Sequence, residues 1–206
     1  YADIVDYGLY KSNDGGKSWE HKPKLTNGLF GDSSWNGKLF FVISPFDENK
    51  IYACLQNGTW SAETGKVFRS MDGGDNWSDW SQGTNDYTKC LVIQPTNDGK
   101  DLVYLFTTNK EGQESKVYSR LEAQPYWNPF DQNYLAGMSV NLALPFYRDS
   151  KIRVAGNAGV WESPMAETEF TPIVNPWIEK SFYNCMSDTL YFDDHSILNH
   201  TGATWE

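Results

Sequence analysis

Arginine is scarce in this sequence. There are only four in 206 residues (Arg69, Arg120, Arg148 and Arg153), they are scattered, and the formal net charge is −10. No Lys/Arg cluster exceeds two residues in a short window, so the basic footprint that phosphate backbones require is missing and nucleic acid is excluded as a partner. Long apolar runs are missing too. The longest, LFFVI at 39–43, is far too short to span a bilayer, and the chain opens YADIV without a basic or apolar leader. The three cysteines, Cys54, Cys90 and Cys185, form no C-x-x-C pair, which argues against a zinc site or a dense disulfide framework and leaves buried free thiols as the expectation. His21, His195 and His200 have no third ligand at a metal-binding spacing, so neither a metal nor a cofactor is expected. No G-x-S-x-G, H-E-x-x-H, P-loop, G-x-G-x-x-G or EF-hand pattern occurs. Helix-forming stretches of Ala, Leu, Glu and Lys are absent as well, and no helix is expected.

Aromatics, by contrast, are abundant: nine Trp, twelve Tyr and eleven Phe, set among many Gly, Asn, Asp and Ser. Aromatic side chains suit pleated surfaces and the small polar residues suit turns, so the composition points to an all-β fold. Two eight-residue words stand out, SNDGGKSW at 12–19 and SMDGGDNW at 70–77. Asp-Gly-Gly calls for a tight turn, because Asp bonds its own backbone two residues on and Gly accepts positive φ. A Ser two places before the Asp and a Trp five places after it sit at fixed offsets around each turn.

A longer period surrounds these words. VISPFDENKIYA (42–53), VIQPTNDGKDLVYL (92–105) and LALPFYRDSKIRVA (142–155) share an apolar strand, a proline, a polar turn and a second strand, with Pro45, Pro95 and Pro145 evenly spaced. A third strand follows at 8–12, 66–70, 116–120 and 159–163. Aligning Tyr10, Phe68, Tyr118 and Trp161 places Trp19, Trp77, Trp127 and Phe170 nine residues later in each copy. In the third copy Glu122 replaces the Asp and the glycines are lost; in the fourth only Ser163 and Phe170 survive. Each unit therefore reads as a four-stranded antiparallel meander of roughly 50 residues, too small to bury both faces alone, and such sheets stacked face to face make a β-propeller. YADIV aligns with the second strand IYACL of the next copy, so about three and a half blades are visible, and the chain is expected to be part of a longer polypeptide.

The word S-x-D-x-G-x-x-W resembles the Asp-box, or bacterial neuraminidase repeat, of sialidases, some xyloglucan-active glycosidases and sortilin-like receptors. Ser12, Asp14, Gly16 and Trp19 match it closely, as do Ser70, Asp72, Gly74 and Trp77; Glu122 with Trp127, and Ser163 with Phe170, match in part. The resemblance covers residues 1–174 and implies that the box is a structural turn at the blade periphery between the third and fourth strands. After Pro176 the repeat stops. Residues 177–206 resemble the start of a PKD-like, immunoglobulin-type sandwich, with Cys185, Tyr191 to Asp193, and Ala203 to Trp205 at the corresponding positions.

These resemblances imply a non-catalytic binding or adhesion module, secreted or on a cell surface, with other surface proteins or polysaccharide as partners. The alternative they leave open is a polysaccharide-acting, sialidase- or xyloglucanase-like glycoside hydrolase whose catalytic residues lie outside this segment. A sialidase needs several arginines converging on the substrate carboxylate, and Arg148 in FYRDS lacks the Ile and Pro that the family places after such an arginine. Trp35, Trp60 and Trp80 fall outside the repeated anchor positions, so they are the candidates for stacking on sugar rings.

Overall fold

The computed structural model of the chain describes residues 9–22, 38–56, 65–109, 114–130, 138–168, 173, 176–178 and 192–194. The described chain is all-β apart from one 3-10 turn at Tyr147–Asp149. Unit 1 contributes β1 (Tyr10–Lys11) and β2 (Glu20–His21), an antiparallel pair. Unit 2 is a four-stranded meander of β3 (Lys38–Ile43), β4 (Ile51–Gln56), β5 (Val67–Ser70) and β6 (Ser78–Asp79). Unit 3 repeats it with β7 (Tyr87–Pro95), β8 (Asp101–Thr108), β9 (Ser115–Leu121) and β10 (Asn128–Pro129). Unit 4 shows three strands, β11 (Val140–Phe146), β12 (Lys151–Gly156) and β13 (Gly159–Pro164). Further on, β14 (Pro176–Ile178) pairs antiparallel with β15 (Phe192–Asp194).

The third strands fall where the repeat puts them, and in each of the first three units the fourth strand begins immediately after Trp19, Trp77 or Trp127. Register makes the equivalence strict. Phe68 pairs with Ala53 and Tyr118 with Leu105, as Trp161 does with Val154, so Tyr52, Tyr104 and Arg153 occupy one position in successive sheets. Pro95 and Pro145 sit near the ends of their first strands and Pro45 just beyond one, where the chain leaves the ladder and a missing N–H costs least.

Units stack face to face, so each sheet has a leading face toward the next unit and a trailing face toward the previous one. Tyr52, Cys54, Val67 and Trp80 lead from unit 2 into Leu91, Ile93, Val103, Leu105 and Trp127 of unit 3. Cys90, Val92, Tyr104, Phe106 and Val117 lead from unit 3 into Ala143, Ile152 and Val154 of unit 4. Covered on both faces, all eight residues of β8 are buried, which explains why DLVYLF reads as a run and not as an alternation. Full burial of each large apolar side chain stabilises the stack by about 1.5–3 kcal/mol. Cys54 and Cys90 lie within these layers as buried free thiols, and burial pushes both up, Cys90 to about 12. Cys185 lies outside the described residues. No helix among the described residues is long and apolar enough to cross a membrane.

Candidate functional site

The two repeated words form the same turn. In the first, Gly16 N–H donates to Ser12 Oγ at 2.7 Å and Ser18 N–H to Asp14 Oδ1 at 2.9 Å, while the Trp19 indole donates to Gly16 O at 3.1 Å. In the second, Gly74 N–H reaches Ser70 Oγ at 2.9 Å, Asn76 N–H reaches Asp72 Oδ1 at 2.8 Å, and the Trp77 indole reaches Gly74 O at 3.0 Å. Both glycines of each turn have positive φ, between 71° and 95°, so the word demands them. Donated hydrogen bonds hold both carboxyls below the usual carboxylate range: Ser18 lowers Asp14 to about 2, and Asn76 lowers Asp72.

These turns do more than close a hairpin. The second seats on unit 1, where Lys22 Nζ meets Asp75 at 3.1 Å and the Lys22 stem lies against Gly74. The third seats on unit 2 and has been rebuilt for it. Arg120 stands where Ser12 and Ser70 stand, and its Nε donates to Gln124 O at 2.9 Å, four residues on, as the serines bind four residues on. Glu122, at the Asp position, leaves the turn to meet Lys50 Nζ at 2.6 Å, and Arg69 donates to its carbonyl at 3.0 Å. Trp127 turns inward, and its indole donates to Trp80 O at 2.8 Å in place of its own turn. In unit 4 Ser163 Oγ, among the described residues, bonds its neighbour's carbonyl, Pro164 O, at 3.3 Å; Phe170 lies outside the described residues.

Trp80 is the main correction to the sequence reading. Only 2% of it is exposed, so neither ring face is free to receive a sugar. It is enclosed by Tyr52 at 4.9 Å, Trp127 edge-on at 4.8 Å and the Arg120 guanidinium 4.2 Å above the ring, with Arg69 at 5.6 Å. Arg120 is buried here beside Arg69, and desolvation first, then the like charge, lowers it to about 10. The position is in fact part of the repeat. Three residues after the anchor Trp come Lys22, Trp80 and Phe130, all reaching another unit or packing beneath it: Lys22 to Asp75, Trp80 to Trp127, and Phe130 edge-on to Tyr104 at 4.9 Å within the unit 3–4 layer. Trp35 and Trp60 lie outside the described residues.

The densest polar cluster spans the same junction. Asp101, fully buried at the start of β8, accepts from Ser44 Oγ at 2.8 Å and Tyr52 OH at 3.0 Å, both on unit 2, with Lys50 Nζ at 3.8 Å. Burial raises its carboxyl above the usual range, against the pull of those two hydrogen bonds and of Lys50, and the Tyr52 hydroxyl is likewise pushed up by burial and by Asp101. A tyrosine beside a carboxylate has the composition of a nucleophile and its base, but both side chains are closed off from any solute and every oxygen is engaged in joining two sheets. The next junction reuses the tyrosine position: Tyr104 OH donates to Gln94 and accepts from Ala166 N–H of unit 4 at 2.7 Å. Among the described residues no group of three His, Cys, Asp or Glu side chains is placed to hold a metal ion.

Antiparallel meanders stacked in tandem, two of them with four described strands and with the second and third turns seated on the preceding unit, make the described chain a run of β-propeller blades. No family model and no curated protein matches the sequence. Among solved structures it is similar to YCF48 bound to D1 peptide, with 18% identity and a TM-score of 0.44 over 76% of this chain and 43% of that one. It is also similar to Trypanosoma rangeli sialidase (15% identity, TM-score 0.48, 74% of this chain and 26% of that one). A third is the Hadza microbial sialidase Hz136 (13%, 0.48, 78% and 39%). The chain thus spans less than half the length of each of these structures.

Proposed function

We propose that the chain is a non-catalytic binding or adhesion module of a secreted or cell-surface protein, whose partners are other surface proteins or polysaccharide. In this reading the repeated turns are Asp-boxes, and residues 177–206 begin a PKD-like domain. One observation carries the proposal: among the described residues, three arginines and the buried carboxyl of Asp101 are engaged within the protein, and all but Arg153 at a junction between blades. Arg69 and Arg120 are committed to Trp80 and to turn carbonyls, and Asp101 is sealed beneath Ser44, Tyr52 and Lys50. Arg153 is occupied by Asp149 at 2.7 Å and Glu162 at 3.4 Å. Cleavage of a glycosidic bond needs an acid and a base or nucleophile that touch the substrate, and these groups are engaged by other parts of the chain instead.

The test is to assay the purified protein for hydrolysis of sialosides and of plant and algal polysaccharides, alongside binding to the same glycans and to surface-protein extracts. Saturable binding without turnover is the expected result. Turnover abolished by a single carboxylate substitution within residues 9–168 would refute it.

A further inference from the structure

The junctions on either side of unit 3 are held in different ways. Toward unit 4 the covered bridging groups carry no charge. Tyr104 OH accepts from Ala166 N–H at 2.7 Å, Tyr147 OH donates to Ile93 O at 2.8 Å, and the Gln94 amide donates to Glu167 O. The Glu167 carboxylate joins in at the exposed rim, accepting from Asn97 N–H at 3.1 Å.

Toward unit 2 a charged group is closed in. The Asp101 side chain is wholly buried, and Lys50 and Glu122 keep only 13% and 20% of theirs exposed. Lys50 Nζ lies 2.6 Å from Glu122 and 3.8 Å from Asp101, so one ammonium serves two carboxyl groups and favours the outer one. With Asp101 ionised, the covered set holds one cation against two anions; with Asp101 protonated, it is neutral. A buried charge without full compensation weakens whatever encloses it, because closing the junction strips its water. Proton uptake from solvent leaves no oxygen unbonded, since the Ser44 and Tyr52 hydroxyls that donate to Asp101 can also turn and accept. The other ionisable groups around it do not supply the missing charge. Tyr52 and the Tyr147 hydroxyl are both pushed up by burial and by Asp101, Lys100 is taken by Asp98, and Asp47 acts on Lys50. Nor does the next junction repeat the arrangement. Val103 pairs with Arg120 as Ile152 does with Ser163, so Ser150 stands where Asp101 stands, and its hydroxyl donates to Thr168 O of its own unit at 2.7 Å.

We propose that the junction of units 2 and 3 is a proton-operated latch, tight while Asp101 carries a proton and looser once that carboxyl ionises, beside a unit 3–4 junction that does not respond. The sign follows from the two states of the junction. Opened to water, Asp101 titrates near its ordinary value of about 4; closed in, burial raises it. The closed form is therefore favoured fully below about pH 4, loses ground as the pH rises through the raised value, and changes no further beyond it.

Hydrogen exchange read by mass spectrometry tests this on the whole chain, with each rate expressed relative to a digest of the same protein at the same pH. Segments 44–52 and 101–105 report the unit 2–3 junction, and segments 147–155 and 163–167 the unit 3–4 junction. Protection of the first pair should fall several-fold from about pH 4 to neutral and then level off, while the second pair stays constant. Asp101→Asn should hold the first pair at one level throughout. Tyr52→Phe removes a donor to the ionised carboxyl, so it should move the fall to higher pH, and it serves if Asp101→Asn does not fold. Protection that changes equally at both junctions, or at neither, overturns the proposal. So does a fall that persists in Asp101→Asn and vanishes in Glu122→Gln, which would give the proton to the outer carboxyl, or a Tyr52→Phe protein whose fall stays at the wild-type pH.

Discussion

Replacing Trp80 with alanine separates a structural indole from a ligand-stacking one. The ring is almost wholly out of water and has aromatic partners on both blades, Tyr52 at 4.9 Å and Trp127 at 4.8 Å. Truncating a buried Trp to Ala costs about 3–5 kcal/mol in lost transfer energy and residual cavity. The upper half of that range applies here, because Arg120 would lose the ring beneath its guanidinium and stay buried. Trp80→Phe keeps a ring under Arg120 and deletes an indole N–H that has no acceptor among the described residues, so it should cost only about 1 kcal/mol. Urea unfolding followed by far-ultraviolet circular dichroism is the assay, since fluorescence would lose a reporter with the mutation. With a slope of roughly 1–3 kcal/mol per molar urea, a loss of about 4 kcal/mol lowers the midpoint by more than about 1 M, while the ratio of the two variants tests the packing argument. A Trp80→Ala protein that loses less than about 1 kcal/mol, or that keeps its stability and loses a glycan, would refute the junction reading.

Asp72→Ala should weaken unit 2 by roughly 1 kcal/mol, the usual loss when a capping carboxylate is removed from a turn, and leave any binding activity intact; chemical denaturation and a binding assay check the two halves. The acidic residues divide by sign. Asp14 and Asp72 titrate below their unfolded values, so their contribution is present above about pH 4 and is lost as the pH falls through their folded values, about 2 for Asp14. Asp101 titrates above its unfolded value, so its contribution is complete below about pH 4 and declines as the pH rises through its folded value. Melting curves of Asp72→Asn and Asp101→Asn against wild type should therefore diverge in opposite directions with pH, and parallel curves would contradict the assignment. Gly83→Ala should destabilise the chain by more than Gly99→Ala. Both have positive φ, but a Cβ at Gly83 would meet the Trp127 backbone at 2.8 Å while one at Gly99 meets nothing within 4 Å, which leaves only the conformational cost of about 1 kcal/mol.

Periodic features were legible in the sequence because they are local. A turn needs its Asp and glycines within a few residues, and a strand needs its alternation, so Ser12 to Trp19, Ser70 to Trp77 and the four third strands could be read from spacing alone. What each blade meets across its junction is not periodic. The position three residues after the anchor Trp is filled by Lys22, which meets Asp75 of the next unit, by Trp80, which meets Trp127 of the next unit, and by Phe130, which packs on Tyr104 of its own sheet, and with residue type changing each time no motif marks it. The same holds for Glu122, which reads as a decayed turn residue until Lys50, 72 positions away in sequence, is placed beside it. The sequence by itself determined the strands, the turns and their tandem order, since these follow from backbone geometry and hydrophobic period. Only the tertiary structure decided that Trp80, Arg120 and Asp101 belong to the joints between blades, because burial and charge pairing depend on residues that the chain brings together only after each sheet has formed and stacked.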